Sequence, residues 1–348
     1  MASSLILQPS EDLVLLLDIL KAVTLIVFLP GLGVIIGSAS VAFVFGCLGR
    51  QSGDHKYMLA AHKILSKMQL SSGLNFLYTS VPILSLAMIY AQTLYGTESL
   101  IGVALMVTFL VAMLSTYFLN CYIYDVEQEV HSIRVLEHLN ITTPAGKAMA
   151  SEVAHHRDAH AQTQGLHGSF GIVGLMLASL FAFACMDVVF HPEKWESFTI
   201  ITLLLSVSMW AQWFGFICMG LALTGAGFMI MFRDDKDCEC LGKLGECFAW
   251  GFGLSLPFLS LVTAFALPDA TWSLGLSILS ILGIGSVAFA LINISGSQSR
   301  GLLASGFFVL VCLLFTTTTE AVKLTLVFRN ATHDHVHKVM IPKDKGAH

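Results

Sequence analysis

The sequence predicts an all-α fold, a polytopic integral membrane helix bundle of about eight transmembrane helices. Three observations carry that expectation. Of the 348 residues, 55% are hydrophobic and only 12% are charged, about half the charge with which a soluble domain covers its surface. The apolar residues gather in runs of about 20, the number that crosses a bilayer as a helix. The short polar/apolar alternation of a membrane β-barrel is missing, which leaves helices as the segments that satisfy their own backbone in lipid. A soluble enzyme is thereby excluded. The net charge of −5 also excludes the basic footprint of a nucleic-acid-binding protein.

Each element has its own justification. Residues 10–21 open on Ser10, Glu11 and Asp12, an N-cap-like start, and read as an interfacial helix leading into a first span at 22–48. Pro30 and Gly31 are expected to kink that span. No basic n-region or small-residue cleavage site precedes it, so it is expected to remain as an anchor. The other spans read as 72–95, 97–122, 167–190, 198–231, 245–268, 272–294 and 301–327. The fifth run exceeds the thickness of a bilayer, so it must tilt, protrude or break at Gly220 or Gly225. Between the third and fourth spans lies a polar stretch, 123–166, in which Thr143-Pro144 signals a helix stop and restart. Two helical extensions at the inner membrane face are expected there. The chain 1–348 therefore reads as one membrane domain with a short polar tail at 328–348.

Lys and Arg set the orientation. They collect at 50–67, 123–166 and 232–243 and at Arg300, against Lys194, Arg329, Lys338, Lys343 and Lys345 on the opposite side. The bias predicts that the N-terminus and the C-terminus both lie outside.

Histidine is the main reactive residue, with 13 copies and none in the middle of an apolar span. A four-helix cytochrome b with paired transmembrane histidines is excluded on that ground. His167 opens the fourth span and is followed by Gly171 and Gly174, small residues that let a flat cofactor or another helix approach closely. Glu152, His156 and His160 share a helix face, and His155 stands three residues after Glu152. His155, His156 and His160 are thus candidate metal ligands, the alternative being a solvated amphipathic helix. The tail histidines His333, His335 and His337 alternate as an extended metal-binding segment would. Glu320 and Lys323, three apart in the last span, form a candidate intramembrane charge pair. Cys238, Cys240 and Cys247 fit no common zinc or haem-attachment spacing. No matched pair of interrupted spans marks a transporter.

Four stretches resemble subunit I of the cytochrome bd-type quinol oxidases. They are the run from Phe28 to Gly37, with Ser52-Gly53-Asp54, Tyr57 and Ser66-Lys67 after it; Ala112 to Phe118; His167 opening its Gly-containing span; and Trp213 to Leu221. The resemblance implies that His167 and Met219 are the axial ligands of one b-type haem, a His/Met pair that raises the iron potential. It implies no more than that one haem. Leu114 stands where the family has a glutamate, Ile217 where it has an arginine, and no histidine precedes residue 55. His167 and Met219 lie on consecutive, oppositely running spans, so a shared iron requires a break in the fifth span.

The function implied is that of an integral subunit of a respiratory electron-transfer complex in a bacterial inner membrane. Its partners would be the lipid bilayer, other membrane or cytochrome subunits, and quinol. A haem-free scaffold subunit is the alternative, followed by a transporter and a membrane metal oxidoreductase.

Overall fold

A computed structural model describes residues 29–93, 100–138, 143–189, 206–232 and 239–266, with isolated positions between 16 and 24. Among the described residues all regular structure is helical. The elements are α1 (Leu29–Ser52), α2 (His55–Met68), α3 (Ser72–Thr93), α4 (Ile101–His138), α5 (Pro144–Val189), α6 (Val207–Met231) and α7 (Glu239–Ala266). Five of these, α1, α3, α4, α5 and α6, are long and apolar enough to cross a membrane. The chain is accordingly an integral membrane protein. These five match the first five expected spans, and α7 overlays the sixth. The seventh and eighth spans, Glu320, Lys323 and the tail histidines lie outside the described residues, and of the expected 10–21 helix only Leu16, Leu17, Ile19 and Leu20 are described, all four helical.

Two details differ from the sequence expectation. Pro30 sits in the first turn of α1, a position where the missing N–H has no helical partner to lose, so it need not kink the span. The long fifth run is not broken at Gly220 or Gly225. Its described helix starts at Val207 behind an N-cap Ser206, whose side chain accepts from the Met209 N–H, and continues through both glycines to Met231.

Those glycines serve packing instead. A Cβ on Gly220 would lie 2.6 Å from the Gly33 carbonyl oxygen, and one on Gly37 would lie 3.1 Å from the Gly220 oxygen. Contact advances from Gly33 with Gly220 to Gly37 with Thr224, so α1 and α6 run parallel. In α7, Gly245 meets α6 backbone at Gly225 equally closely. Without a hydrophobic force between helices in lipid, such small-residue contacts are what let them associate.

α4 has 38 residues and α5 has 46, so at 1.5 Å per residue they reach about 57 and 69 Å, well beyond an apolar layer of about 30 Å. The second half of α4 and the first half of α5 therefore project from the membrane as one antiparallel pair, joined near Thr143-Pro144. The opposite halves carry an outward stripe that includes Val103, Val107, Leu110 and Leu114, all exposed. The inward face of α4 buries Leu105, Ala112, Leu119, Tyr122 and Val126.

Between α1 and α3 the short helix α2 is capped by Asp54, whose carboxylate accepts from the Lys56 N–H. It buries Met58, Ala61, Ile64 and Leu65 against α1, α4 and α6. Its last turn is tied down by Gln69 Nε2, which donates to the Ile35 carbonyl and to Ser38 Oγ, and by Lys67 Nζ, which donates to the Met231 carbonyl.

Candidate functional site

At the level where α4 and α5 leave the apolar layer, Asp125 of α4 is buried and faces α5. The antiparallel pairing sets His160, Thr163 and His167 opposite it, one face of α5 at spacings of three and four residues. His167 Nδ1 lies 2.7 Å from Asp125 Oδ2, His160 Nδ1 lies 3.0 Å from Oδ1, and Thr163 Oγ1 donates to Oδ2 at 3.1 Å. An ionised carboxylate only accepts, so both imidazoles carry their proton on Nδ1 and keep Nε2 as the basic nitrogen. The histidine side chains are 24% and 27% exposed while the Asp125 side chain is 6% exposed. One buried anion thus orients two half-open bases.

The surroundings are aromatic. Phe118 packs 5.9 Å from the His167 ring and 5.7 Å from Phe170, and Tyr124 meets His160 edge-on at 6.0 Å. Phe170, Tyr117 and Tyr124 are exposed, which places a flat apolar surface beside the imidazoles at the lipid edge. The Arg50 guanidinium closes the other side: Nη1 donates to the Ala161 carbonyl at 2.9 Å, binding the end of α1 to α5.

Further along α4, beyond the apolar stretch, burial raises the Glu129 carboxyl above the usual range, and Arg50 and Arg157 pull it back. On α2, His62 is held below the ordinary imidazole value, first by burial and then by Arg134, with Glu127 opposing.

The residues expected from the sequence are distributed differently. His167 is at this site, but Met219 is not brought to it. Met219 is buried in α6 beside Gly220, which packs on Gly33, whereas Gly168 packs on Phe43. Those two levels are ten residues apart on α1, roughly 15 Å of helix rise. The spaces beside Gly171 and Gly174, which a flat cofactor would need, are filled by Leu119 and Ser115 of α4. With α6 unbroken as well, the His167–Met219 pair does not fit one haem. His160 turns to Asp125 while Glu152, His155 and His156 are exposed. Among the described residues no group of three or more His, Cys, Asp or Glu is placed to hold a metal ion.

Asp125 is the residue that sequence reasoning did not single out. Its signal was present, because Asp125 and His160 are almost equidistant from Thr143 and an antiparallel fold-back there pairs them. No protein-family model, curated protein or solved structure matches the chain.

Proposed function

We propose that this chain is an integral subunit of an electron-transfer complex in a bacterial inner membrane, and that Asp125, His160 and His167 form its point of proton exchange with a quinol. The observation that supports this reading is the pair of half-open imidazoles fixed on one buried carboxylate, beside exposed aromatic rings at the lipid edge. A quinol headgroup is flat, apolar on its faces and protic at its hydroxyls. Phe118 and Phe170 offer the face, and His167 Nε2 offers the base.

On oxidation a quinol releases two electrons and two protons. The electrons pass to a redox centre of a partner subunit. One hydroxyl proton goes to His167 Nε2, and Asp125 stabilises the imidazolium through the Nδ1–H bond, the orienting role that a carboxylate plays behind a general base. His160, held the same way, serves the second proton. The Lys and Arg residues that collect in the loops 50–67, 123–166 and 232–243 support an inner location for this face, with both termini outside.

A photoreactive quinone analogue added to the purified protein tests the reading. Labelling of α4 or α5 near Phe118 and Phe170, competed by quinone and lost in His167→Ala, is the expected result. Labelling that is indifferent to both His167→Ala and Asp125→Asn refutes it. A reduced-minus-oxidised spectrum of the same sample tests for haem.

The scaffold reading is favoured by the glycine contacts of α6 with α1 and α7 and by the wide exposed stripe of α4. Full activity of the complex after substitution of His160 and His167 together selects it.

A further inference from the structure

Contacts along α1 give α2 and α3 a common direction. Near the start of α2, a Cβ on Gly49 would lie 3.2 Å from the Met58 nitrogen. Beyond its end, Gln69 Nε2 donates to the Ile35 carbonyl at 3.0 Å. In α3, the Tyr78 ring lies where a Cβ on Gly31 would be. The chain thus passes Gly49, Ile35 and Gly31 of α1 in turn, so α2 and α3 are two parts of one pass, interrupted at Gln69, whose backbone is extended. The pass begins on the side from which α4 and α5 project, since Gln164 Nε2 of α5 reaches Met58 Sδ at 3.8 Å.

The open side of this pass changes character at the interruption. α2 carries Lys56, Lys63 and Lys67 at spacings of seven and four, which puts them on one helix face, and it has no Asp or Glu among its 14 residues. Lys56 and Lys67 are exposed and Lys63 is half-exposed. Past Lys67 the exposed side chains are Leu70, Leu74, Phe76 and Leu77. A switch from ammonium to aliphatic groups within three residues, on the open side of a membrane pass, marks the boundary between headgroups and acyl chains. The end of α6 marks the same level. Lys67 Nζ donates to the Met231 carbonyl at 3.1 Å and stands 4.6 Å from the centre of the Phe232 ring, and the sequence turns polar there with Arg233-Asp234-Asp235.

We propose that Lys63 and Lys67 hold the phosphate of an anionic phospholipid in the leaflet on that side, with its acyl chains lying along Leu70, Leu74 and Leu77. The two ammonium groups are one helical turn apart on one face, at the depth where lipid phosphates lie. Charge selects the lipid class: an anionic headgroup brings an uncompensated negative charge, whereas a zwitterionic one brings its own ammonium, to which α2 offers no carboxylate. Asp54 caps the far end of the helix, where its carboxylate accepts from the Lys56 N–H. Lys56 itself is 11 residues from Lys67, about 16 Å of helix rise, which exceeds the screening length of about 10 Å at 0.1 M salt. It therefore takes no part. The site uses none of Asp125, His160 and His167, and it stands whether or not they serve a quinol.

Native mass spectrometry of the purified full chain in detergent, titrated with phosphatidylglycerol or with phosphatidylcholine of the same chains, tests the proposal. The wild type is expected to bind its first phosphatidylglycerol more tightly than its first phosphatidylcholine. Lys63→Gln and Lys67→Gln are each expected to weaken that binding about fivefold, the worth of one lysine at an anionic surface, with helix content unchanged. Lys56→Gln is expected to bind as the wild type does. Lys67→Arg keeps the charge and is expected to keep the lipid, which separates loss of the cation from loss of the α6 contact. The proposal is overturned if both Gln variants at 63 and 67 bind phosphatidylglycerol at wild-type strength, if Lys56→Gln or Lys67→Arg loses as much as they do, or if the wild type does not distinguish the two lipids. Displacement of the lipid by an equal concentration of glycerol phosphate also overturns it, because the ligand would then be a soluble anion.

Discussion

Asn in place of Asp125 keeps the shape of the side chain and removes its charge. In the wild type the carboxylate accepts from His160, Thr163 and His167 at 3.0, 3.1 and 2.7 Å. The amide oxygen of Asn, placed at the Oδ2 position, can keep the bonds from His167 and Thr163, but its NH2 then faces the His160 Nδ1–H and forces that ring to change tautomer or turn away. A hydrogen bond to a charged group contributes about 1.5–3 kcal/mol. Because both histidines are about a quarter exposed, the low end applies. Losing one such bond and weakening the second costs about 2 kcal/mol. The assay is SDS titration of the protein in mild detergent, followed by circular dichroism. A double-mutant cycle with His167→Gln should recover a coupling of about 1–2 kcal/mol. If Asp125→Asn shifts the unfolding free energy by less than about 0.5 kcal/mol, a typical neutral surface change, the carboxylate does not hold the α4/α5 pair. The reading of both imidazoles as oriented bases then fails with it.

Other expectations follow from packing and charge. Gly220→Val drives a side chain into the Gly33 carbonyl, which lies 2.6 Å from an ideal Cβ, so it should cost about 1–3 kcal/mol as overpacking in the same titration, whereas Gly215→Ala meets nothing within 4 Å and should be near neutral. His62 has a folded-state value below the ordinary 6.5. The unfolded chain therefore binds the extra proton first, and stability falls as pH drops from about 6.5 toward the folded value. His62→Gln should flatten that part of the pH–stability curve, and an unchanged slope would show that burial of the ring is not its cause. Arg50→Ala removes the 2.9 Å bond to the Ala161 carbonyl and should cost about 1–2 kcal/mol. Cys240 is exposed and Cys185 buried, so a membrane-impermeant maleimide should label Cys240 in inverted vesicles and spare Cys185. Labelling of Cys240 from the outer side would overturn the proposed orientation.

The hairpin of α4 and α5 was legible in the sequence because two ordinary signals coincide. An apolar run ends at Tyr122 and another begins at His167, with Thr143-Pro144 midway between them. The five spans among the described residues were legible for the same reason, since burial in lipid demands length and apolarity before anything else. The partner of Asp125 was harder to see. Helical periodicity tells which residues share a face, as with His160 and His167, but it says nothing about the register of a second helix until the turn is located. Of the alternatives open for the fifth span, the break did not occur: glycine lowers helix propensity in isolation, yet Gly220 and Gly225 are helical and stand where the backbone of a neighbouring helix leaves no room for a side chain. That closeness is a property of α1 and α7, and it cannot be read from the α6 segment alone.

The parallel seating of α6 on α1 has a consequence for biogenesis. Proteins are made from the N-terminus and inserted in that order, so α1 enters the membrane long before Gly220 and Thr224 exist. Throughout the synthesis of α2 to α5, the notch at Gly33 and Gly37 faces lipid or the insertion machinery with no helix in it. A ribosome stalled after α5 should therefore hold an intermediate whose α4/α5 hairpin is complete and joined to the end of α1 through Arg50, but whose notch at Gly33 and Gly37 is still unfilled. The arrival of α6, rather than that of α1 itself, closes this seam.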